Sequence, residues 1–413
     1  MLSVLATVVK MLSGLVINKA MSIYVGPSGL AVIGQFQNFL SIILTLGQGG
    51  INSGVVRYTS QYKNSLIDLP KYWSCSLKIT SAISIVISFF LVLFSSELSR
   101  YVFFSEEYRY LFYVLSATLL LYTVNQLLLS IINGLQEIKL LTAINITQSI
   151  ISLFITTALI ITLGLKGALL ALIVNQSLVF CVVILKLRKH KIITMDKFLY
   201  PLDFKVIKTL SSYSIMSIAT LVLVPAVNIA IRGDITDTLS LKYAGIWQGM
   251  TYLSQMYLMV VTSVVSIYLL PKYSELNCGI KIKNEVKRMF SICVPLLLIM
   301  FLCIYTLRGF IISLVFSNDF LPMMDIIKWY LYGDILKSLS FLFSYIMIAK
   351  SLTKTYLLSE IALYATLYYI TKLSLSEFGF AGVGYAYTLT YLMYFLMSFF
   401  IFYRYLGKVR TSP

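Results

Sequence analysis

Seven charged residues interrupt the apolar stretches of this 413-residue chain: Lys10, Lys19, Arg57, Arg232 and Lys337 are basic, Asp334 and Glu360 acidic. A charge at mid-bilayer costs on the order of 2.5–3.5 kcal/mol on the insertion scale, so the usual solution is a water-filled cavity between helices. Five cations against two acids leave that cavity basic. A basic cavity suits an anion, and a phosphate or pyrophosphate pairs well with the donors of Arg and Lys. Lys337 and Asp334 stand three residues apart on one helical face. They form either a cavity pair, with Asp334 a candidate coupling group for protons or membrane potential, or a structural self-pair. Lys10 faces the cavity or snorkels to the interface. Lys19, nine residues on, points nearly half a turn away from Lys10, so the cavity is wide, the helix bends near Gly14, or one of the two snorkels. Arg57 and Arg232 lie near span ends, where snorkelling competes. Glu360 is expected at the inner interface.

Helices must position these groups. The chain is 59% hydrophobic and 12% charged, with mean hydropathy +0.88, where a soluble domain is about a quarter charged. Apolar runs near 20 residues recur along the whole length, each long enough for a hydrocarbon core of roughly 30 Å. The expected fold is all-α and integral to the membrane, with twelve spans at about 3–25, 30–60, 77–96, 110–133, 142–163, 167–187, 209–232, 241–270, 290–307, 325–350, 355–374 and 381–404. The first span lacks the basic n-region and cleavage site of a signal peptide. With the N-terminus inside, 21 Lys and Arg fall in cytoplasmic connections against 7 in outer ones, which puts both termini in the cytoplasm.

The chain repeats itself. The stretch from Gly26 to Tyr62 returns about 213 residues later as Leu241 to Leu276. Gln35 meets Gln248, Ser41 meets Ser254, and upstream Lys19 meets Arg232. Near the end of each half, LGLKGALLA parallels FGFAGVGYA at an offset of 215, pairing Gly164 with Gly379 and Gly167 with Gly382. This predicts two six-helix lobes, 1–187 and 209–413, joined by a basic cytoplasmic linker at 188–208. Six is even, so the pseudo-two-fold axis runs along the membrane normal. Gln35 and Gln248 become candidate polar residues of the cavity. Gly47, Gly49, Gly50 and Gly54 crowd span two, serving close packing or a bend.

Other chemistries find little support. The five cysteines contain no C-x-x-C pair and the one histidine, His190, sits in a basic loop, so no metal site, cofactor or disulfide framework is expected. The net charge of +17 belongs to membrane topology and not to nucleic acid. An integral-membrane enzyme would need a general base or metal-binding carboxylates on a sizeable loop, and the longest outer segments hold neither a His nor a D-x-D, so no catalytic residue is assigned. A cation-coupled exporter of drugs would place acids inside the first lobe, whereas Asp68, Glu97, Glu106, Glu107 and Glu137 all fall in connections. A membrane-embedded exporter with a cationic cavity suits a lipid-linked pyrophosphate, its sugar in the cavity and its tail in lipid.

Several stretches are familiar: GPSGL (26–30), GVVRY (54–58), GIWQG (245–249), YLLP (268–271), GDILK (333–337) and the IAK…YLLSE run (348–360). Through them nearly the whole chain resembles the Wzx-type flippases of lipid-linked oligosaccharides, in the multidrug/oligosaccharidyl-lipid/polysaccharide exporter superfamily. The resemblance is strongest to the branch that serves enterobacterial common antigen. It implies two six-helix lobes, a central cavity and alternating access. It implies an undecaprenyl-pyrophosphate-linked oligosaccharide, an O-antigen unit or a common-antigen unit, moved to the periplasmic leaflet of the bacterial inner membrane. It also implies that Lys10, Arg57, Arg232 and Lys337 serve the pyrophosphate, and that a polysaccharide polymerase and a chain-length regulator are partners.

Overall fold

The computed structural model describes residues 2–408 other than 104, 189–191, 277 and 351; His190 and its flanking lysines therefore lie outside the described residues. Every regular element is helical among them: α1 (Leu2–Tyr24), α2 (Gly26–Gly47), α3 (Asn52–Gln61), α4 (Asp68–Leu93), α5 (Ser95–Phe103), α6 (Arg109–Gly134), α7 (Ile138–Leu187), α8 (Phe204–Thr238), α9 (Leu241–Glu275), α10 (Gly279–Thr306), α11 (Arg308–Val315), α12 (Met324–Ala349), α13 (Thr353–Phe378) and α14 (Phe380–Lys408), with 3-10 turns at Met195–Phe198 and Asn318–Met323. Eight of the described helices are long and apolar enough to cross a membrane. α8, α9 and α13 match them in length at 35, 35 and 26 residues, and α7 is two helical stretches. This gives the all-α, twelve-helix, multi-pass architecture. Along α10, Ile292, Leu296, Ile299 and Leu302 form an exposed stripe, each more than half exposed, which suits lipid and not water.

The chain divides into two compact units, residues 1–25 with 32–229 and residues 26–31 with 230–413. In the first, α1 packs along α7, and α6 packs against α3, α4 and α7. Its core gathers Ile51, Val55, Trp73, Ile131 and Val183. Phe198 and Tyr200 dock on the start of α4: Ser74 Oγ and Lys78 Nζ both donate to the Tyr200 carbonyl at 2.6 Å, and Phe198 stacks on Trp73 at 5.7 Å. In the second unit α12 is central, packed by α9, α10 and α14. Its core gathers Leu269, Tyr273, Ile282, Leu342 and Phe402.

Two glycines explain how α7 turns and show the repeat. Gly164 has φ 56° and ψ −130°, a conformation open to glycine and closed to a residue with a Cβ. Gly379, 215 residues later, has φ 57° and ψ −139°. A Cβ on Gly167 would sit 1.9 Å from the Leu159 carbonyl oxygen, and one on Gly382 would sit 2.0 Å from that of Ser374. The same sharp, closely crossed corner is therefore built twice, as the matched glycines lead one to expect.

Span two differs from its sequence expectation. One helix was expected over 30–60, but α2 stops at Gly47 and α3 restarts at Asn52, with Gly49 and Gly50 at φ 64° and 63°. The break is held by polar groups. Ser84 Oγ donates to the Gly47 carbonyl at 3.1 Å and lies 2.8 Å from Thr123 Oγ1. A free carbonyl at a helix end is costly inside a membrane, so this acceptor has a donor supplied from α4.

The first turn of α2 packs with the second unit. A Cβ on Gly245 would lie 1.7 Å from the Pro27 carbonyl oxygen, so the GPSGL and GIWQG stretches meet backbone to backbone. Gly245→Ala is expected to lose about 1–3 kcal/mol through overpacking, read as a lower unfolding midpoint of purified protein. Gly233→Ala, where a Cβ meets nothing within 4 Å, is the control and leaves the midpoint unchanged or slightly raised.

Candidate functional site

The second unit gathers four of the sequence candidates, Arg232, Gln248, Asp334 and Lys337, into one polar cluster. α8 supplies Arg232, only 3% exposed. Its Nη2 donates to Gln248 Oε1 of α9, and its guanidinium carbon lies 5.4 Å from the Trp247 ring centroid. A guanidinium tolerates such burial because its planar face stacks on an aromatic while its edge donates.

From Trp247 the cluster continues without interruption. Trp247 Nε1 donates to the Tyr330 hydroxyl at 2.6 Å. The Tyr330 ring stacks on Tyr387 at 4.1 Å with an interplanar angle of 9°. The Tyr387 hydroxyl donates to Asp334 Oδ1 at 2.7 Å. Asp334 is fully buried, and its other oxygen accepts from Ser254 Oγ at 2.8 Å and from the Tyr257 hydroxyl. Three hydroxyls from α9 and α14 thus converge on one carboxylate of α12.

Of the two readings open for Asp334 and Lys337, the self-pair is not what the structure builds. Ion pairs within 4 Å occur at Arg100–Glu106 and Lys166–Glu107 among the described residues, and Asp334 is satisfied by hydroxyls. Lys337 turns its ammonium toward aromatic faces, 5.1 Å from the Tyr391 centroid and 6.0 Å from that of Tyr387. Gly333 makes this packing feasible, since a Cβ there would lie 2.4 Å from the Tyr387 ring. Gly333, Asp334 and Lys337 of the GDILK stretch therefore act together: space, acceptor and cation. Glu360, expected at the interface, is half-buried and accepts from the Tyr394 hydroxyl at 2.8 Å.

The other four candidates belong to the first unit. Lys10 is exposed on α1 and Lys19 half-buried on the same helix. Gln35 is 7% exposed on α2. Arg57 is exposed on α3, with its guanidinium carbon 5.9 Å from the Tyr58 centroid. The different exposures of Lys10 and Lys19 follow from their half-turn separation.

Sequence reasoning did not select Tyr257, Tyr330, Tyr387, Tyr391 or Trp247. A partial signal existed, because Ser254 and Tyr257 share a face of α9, as Tyr330 and Asp334 share one of α12. With 30 tyrosines in the chain, spacing alone did not single these out.

Comparison with known proteins agrees with this architecture. The chain is 28% identical over 390 residues to the Lipid III flippase of Escherichia coli (strain K12), covering 94% of each chain, and equally so to the Lipid III flippase of Shigella flexneri. Among solved structures it superposes on an inward-facing multidrug resistance MATE family transporter of the MOP superfamily with TM-score 0.83, at 11% identity over 98% of this chain and 96% of that one. It superposes on the lipid II flippase MurJ in an inward closed conformation with TM-score 0.70, at 16% identity over 97% and 86%. At such identities these structures establish the fold. The family model for polysaccharide biosynthesis proteins matches residues 1–277, and with two-thirds of its length matched in this way the chain belongs to the polysaccharide biosynthesis protein family.

Proposed function

We propose that the protein is a flippase of the bacterial inner membrane. Its substrate is an undecaprenyl-pyrophosphate-linked oligosaccharide, an O-antigen unit or the lipid III of enterobacterial common antigen. The substrate moves from the cytoplasmic to the periplasmic leaflet by alternating access of lobes 1–187 and 209–413 about the linker at 188–208. The observation that carries this reading is the likeness to lipid III flippases over 94% of the chain. The buried Arg232 beside Gln248 gives it a physical basis, since a guanidinium kept inside a helical membrane protein is suited to an anionic group. Arg232 and Lys337 are assigned to the pyrophosphate, with Lys10, Lys19 and Arg57 as further cations on its path and Gln35 and Gln248 as polar lining. Asp334 is the candidate for coupling. A polysaccharide polymerase and a chain-length regulator are the partners this role calls for.

The likeness to multidrug transporters raises a second reading, cation-coupled drug export by the same fold. It is disfavoured by the placement of acids. In the first unit Asp68 stands in the first turn of α4, Glu97 in the short α5 and Glu137 at the N-cap of α7. Complementation separates the two. Expressed in a bacterium lacking its own lipid-linked oligosaccharide flippases, the chain restores surface glycan and lowers the lipid-linked intermediate retained in the inner leaflet. No rescue with several glycans, alongside lowered sensitivity to cationic dyes, would transfer the assignment to drug export.

The proposed topology has its own probe. Cys278 caps the N-terminus of α10, where the amides of Lys281 and Ile280 draw its thiol below the ordinary range. With the other four cysteines replaced, a membrane-impermeant maleimide is expected to label Cys278 only in inside-out vesicles or permeabilised cells. Labelling in intact spheroplasts would invert the topology.

A further inference from the structure

A second site stands in the same unit, away from the Arg232–Asp334 cluster. A groove of about 350 Å³ lies between α10, α12 and α14. Lys283 and Lys287, four residues apart on one face of α10, stand at its rim, and Phe290 follows on the same face. Phe395, Phe399 and Tyr403 repeat at intervals of four along α14. Lys283 Nζ lies 5.9 Å from the Tyr403 centroid, while Phe290 and Phe395 have centroids 6.4 Å apart, so the two helices run antiparallel. Eight residues separate Tyr403 from Phe395, so the aromatic wall descends about 12 Å from the cationic rim. The floor is buried Phe343 and Phe402. The wall is open outward: Phe399 is 41% and Tyr403 44% exposed.

We propose that this groove binds one anionic glycerophospholipid, its phosphate held by Lys283 and Lys287 and one acyl chain lying along the aromatic wall. The charge order is that of a lipid standing in a leaflet. The cations sit where the basic first turns of α10 give way to its apolar stretch, and the wall runs into that stretch. No acid lines the groove. The nearby Glu285 is buried outside the groove's lining, accepts from the Tyr268 hydroxyl at 2.8 Å and makes no ion pair within 4 Å with either lysine among the described residues. A soluble anion would leave the aromatic wall unused, and a neutral lipid would leave the lysines unused. The bulk anionic lipid of the surrounding leaflet also exceeds any transported lipid in amount, which favours its occupancy by mass action.

Native mass spectrometry of the full chain, released from mixed micelles, tests this with phosphatidylglycerol, phosphatidylcholine and undecaprenyl phosphate at equal concentration. Phosphatidylglycerol is expected to be retained about tenfold over phosphatidylcholine, and Lys283→Gln with Lys287→Gln to remove that preference. The control pair Lys281→Gln with Arg288→Gln removes equal charge from exposed positions outside the groove and keeps it. Phe399→Trp, which fills the groove and leaves both lysines, is expected to expel the lipid as well. Equal loss in both double variants would reduce the effect to general surface charge and overturn the site. So would full retention in Lys283→Gln with Lys287→Gln. Preference for undecaprenyl phosphate over phosphatidylglycerol that disappears in Lys283→Gln with Lys287→Gln and in Phe399→Trp, and survives Arg232→Gln, would hand the groove to a transported lipid's tail and overturn the proposed occupant.

Discussion

Asp334→Ala is expected to cost about 3–6 kcal/mol of stability and to abolish transport, whereas Asp334→Asn keeps the fold. The carboxylate collects hydroxyl donors from Ser254, Tyr257 and Tyr387 at a fully buried position. Alanine removes their common acceptor. Each buried hydroxyl left unsatisfied costs about 1–3 kcal/mol, and neighbouring losses do not add in full. Tyr387 has little freedom to seek another partner, because its ring is held between Tyr330 at 4.1 Å and the backbone of Gly333. Asparagine keeps one oxygen with two acceptor sites, and its amide can donate to the third hydroxyl. The unfolding midpoint in detergent reads the first effect; an alanine variant as stable as wild type would sink the idea that this carboxylate organises the unit. Flipping in proteoliposomes across pH reads the second. If Asp334 carries the coupling proton, Asp334→Asn flattens the pH profile. An unchanged profile with unchanged transport makes the carboxylate structural.

The same cluster marks how far sequence reading reaches. Membrane insertion, helix number and the duplicated corner were legible, because hydropathy over 20 residues and matched glycines are local signals. Gly164 and Gly379 adopt nearly identical backbone angles, at the offset read from the two matched stretches. The break between Gly47 and Asn52 was not legible as a break, because glycines in a membrane helix serve close packing as readily as bending. The donor from Ser84, 37 residues away, belongs to another helix. Arg232 was found by its charge and Gln248 by its repeat partner. Asp334 was found by its charge too, but its hydroxyl partners were not. The three-residue spacing to Lys337 satisfies a local rule, and the structure overrides it with hydroxyls from two helices 53 to 80 residues away. Which of many tyrosines face a carboxylate depends on the rotation of each helix about its axis. That rotation is set by packing, and α12, buried among α9, α10 and α14, carries little amphipathic pattern from which to read it.

Arg232→Gln is expected to weaken binding of an undecaprenyl-pyrophosphate lipid by about ten- to hundredfold, the range set by losing hydrogen bonds to a charged group. The guanidinium lies in the helix-packed interior, 3% exposed, between Gln248 and the face of Trp247. Holding a cation there is costly, and for polyprenyl pyrophosphate that cost becomes an advantage, since Coulomb attraction strengthens as water is excluded. Glutamine retains donors for Gln248, so the helix pairing survives while the charge is lost. Arg232→Lys separates charge from shape. It keeps the cation but loses the planar fork and the stacking on Trp247, and is expected to fall between wild type and Arg232→Gln. The measurement is the dissociation constant of purified protein for the pyrophosphate lipid, beside that for the free polyprenol, at two salt concentrations. A pyrophosphate contact predicts that Arg232→Gln raises only the first and reduces its salt dependence. Equal weakening of both lipids would make Arg232 a packing residue. Wild-type affinity in Arg232→Gln would leave Lys337 as the cation of this cluster able to meet the phosphates, because its ammonium, 5.1 Å from Tyr391, is half-buried and not locked into an ion pair with Asp334.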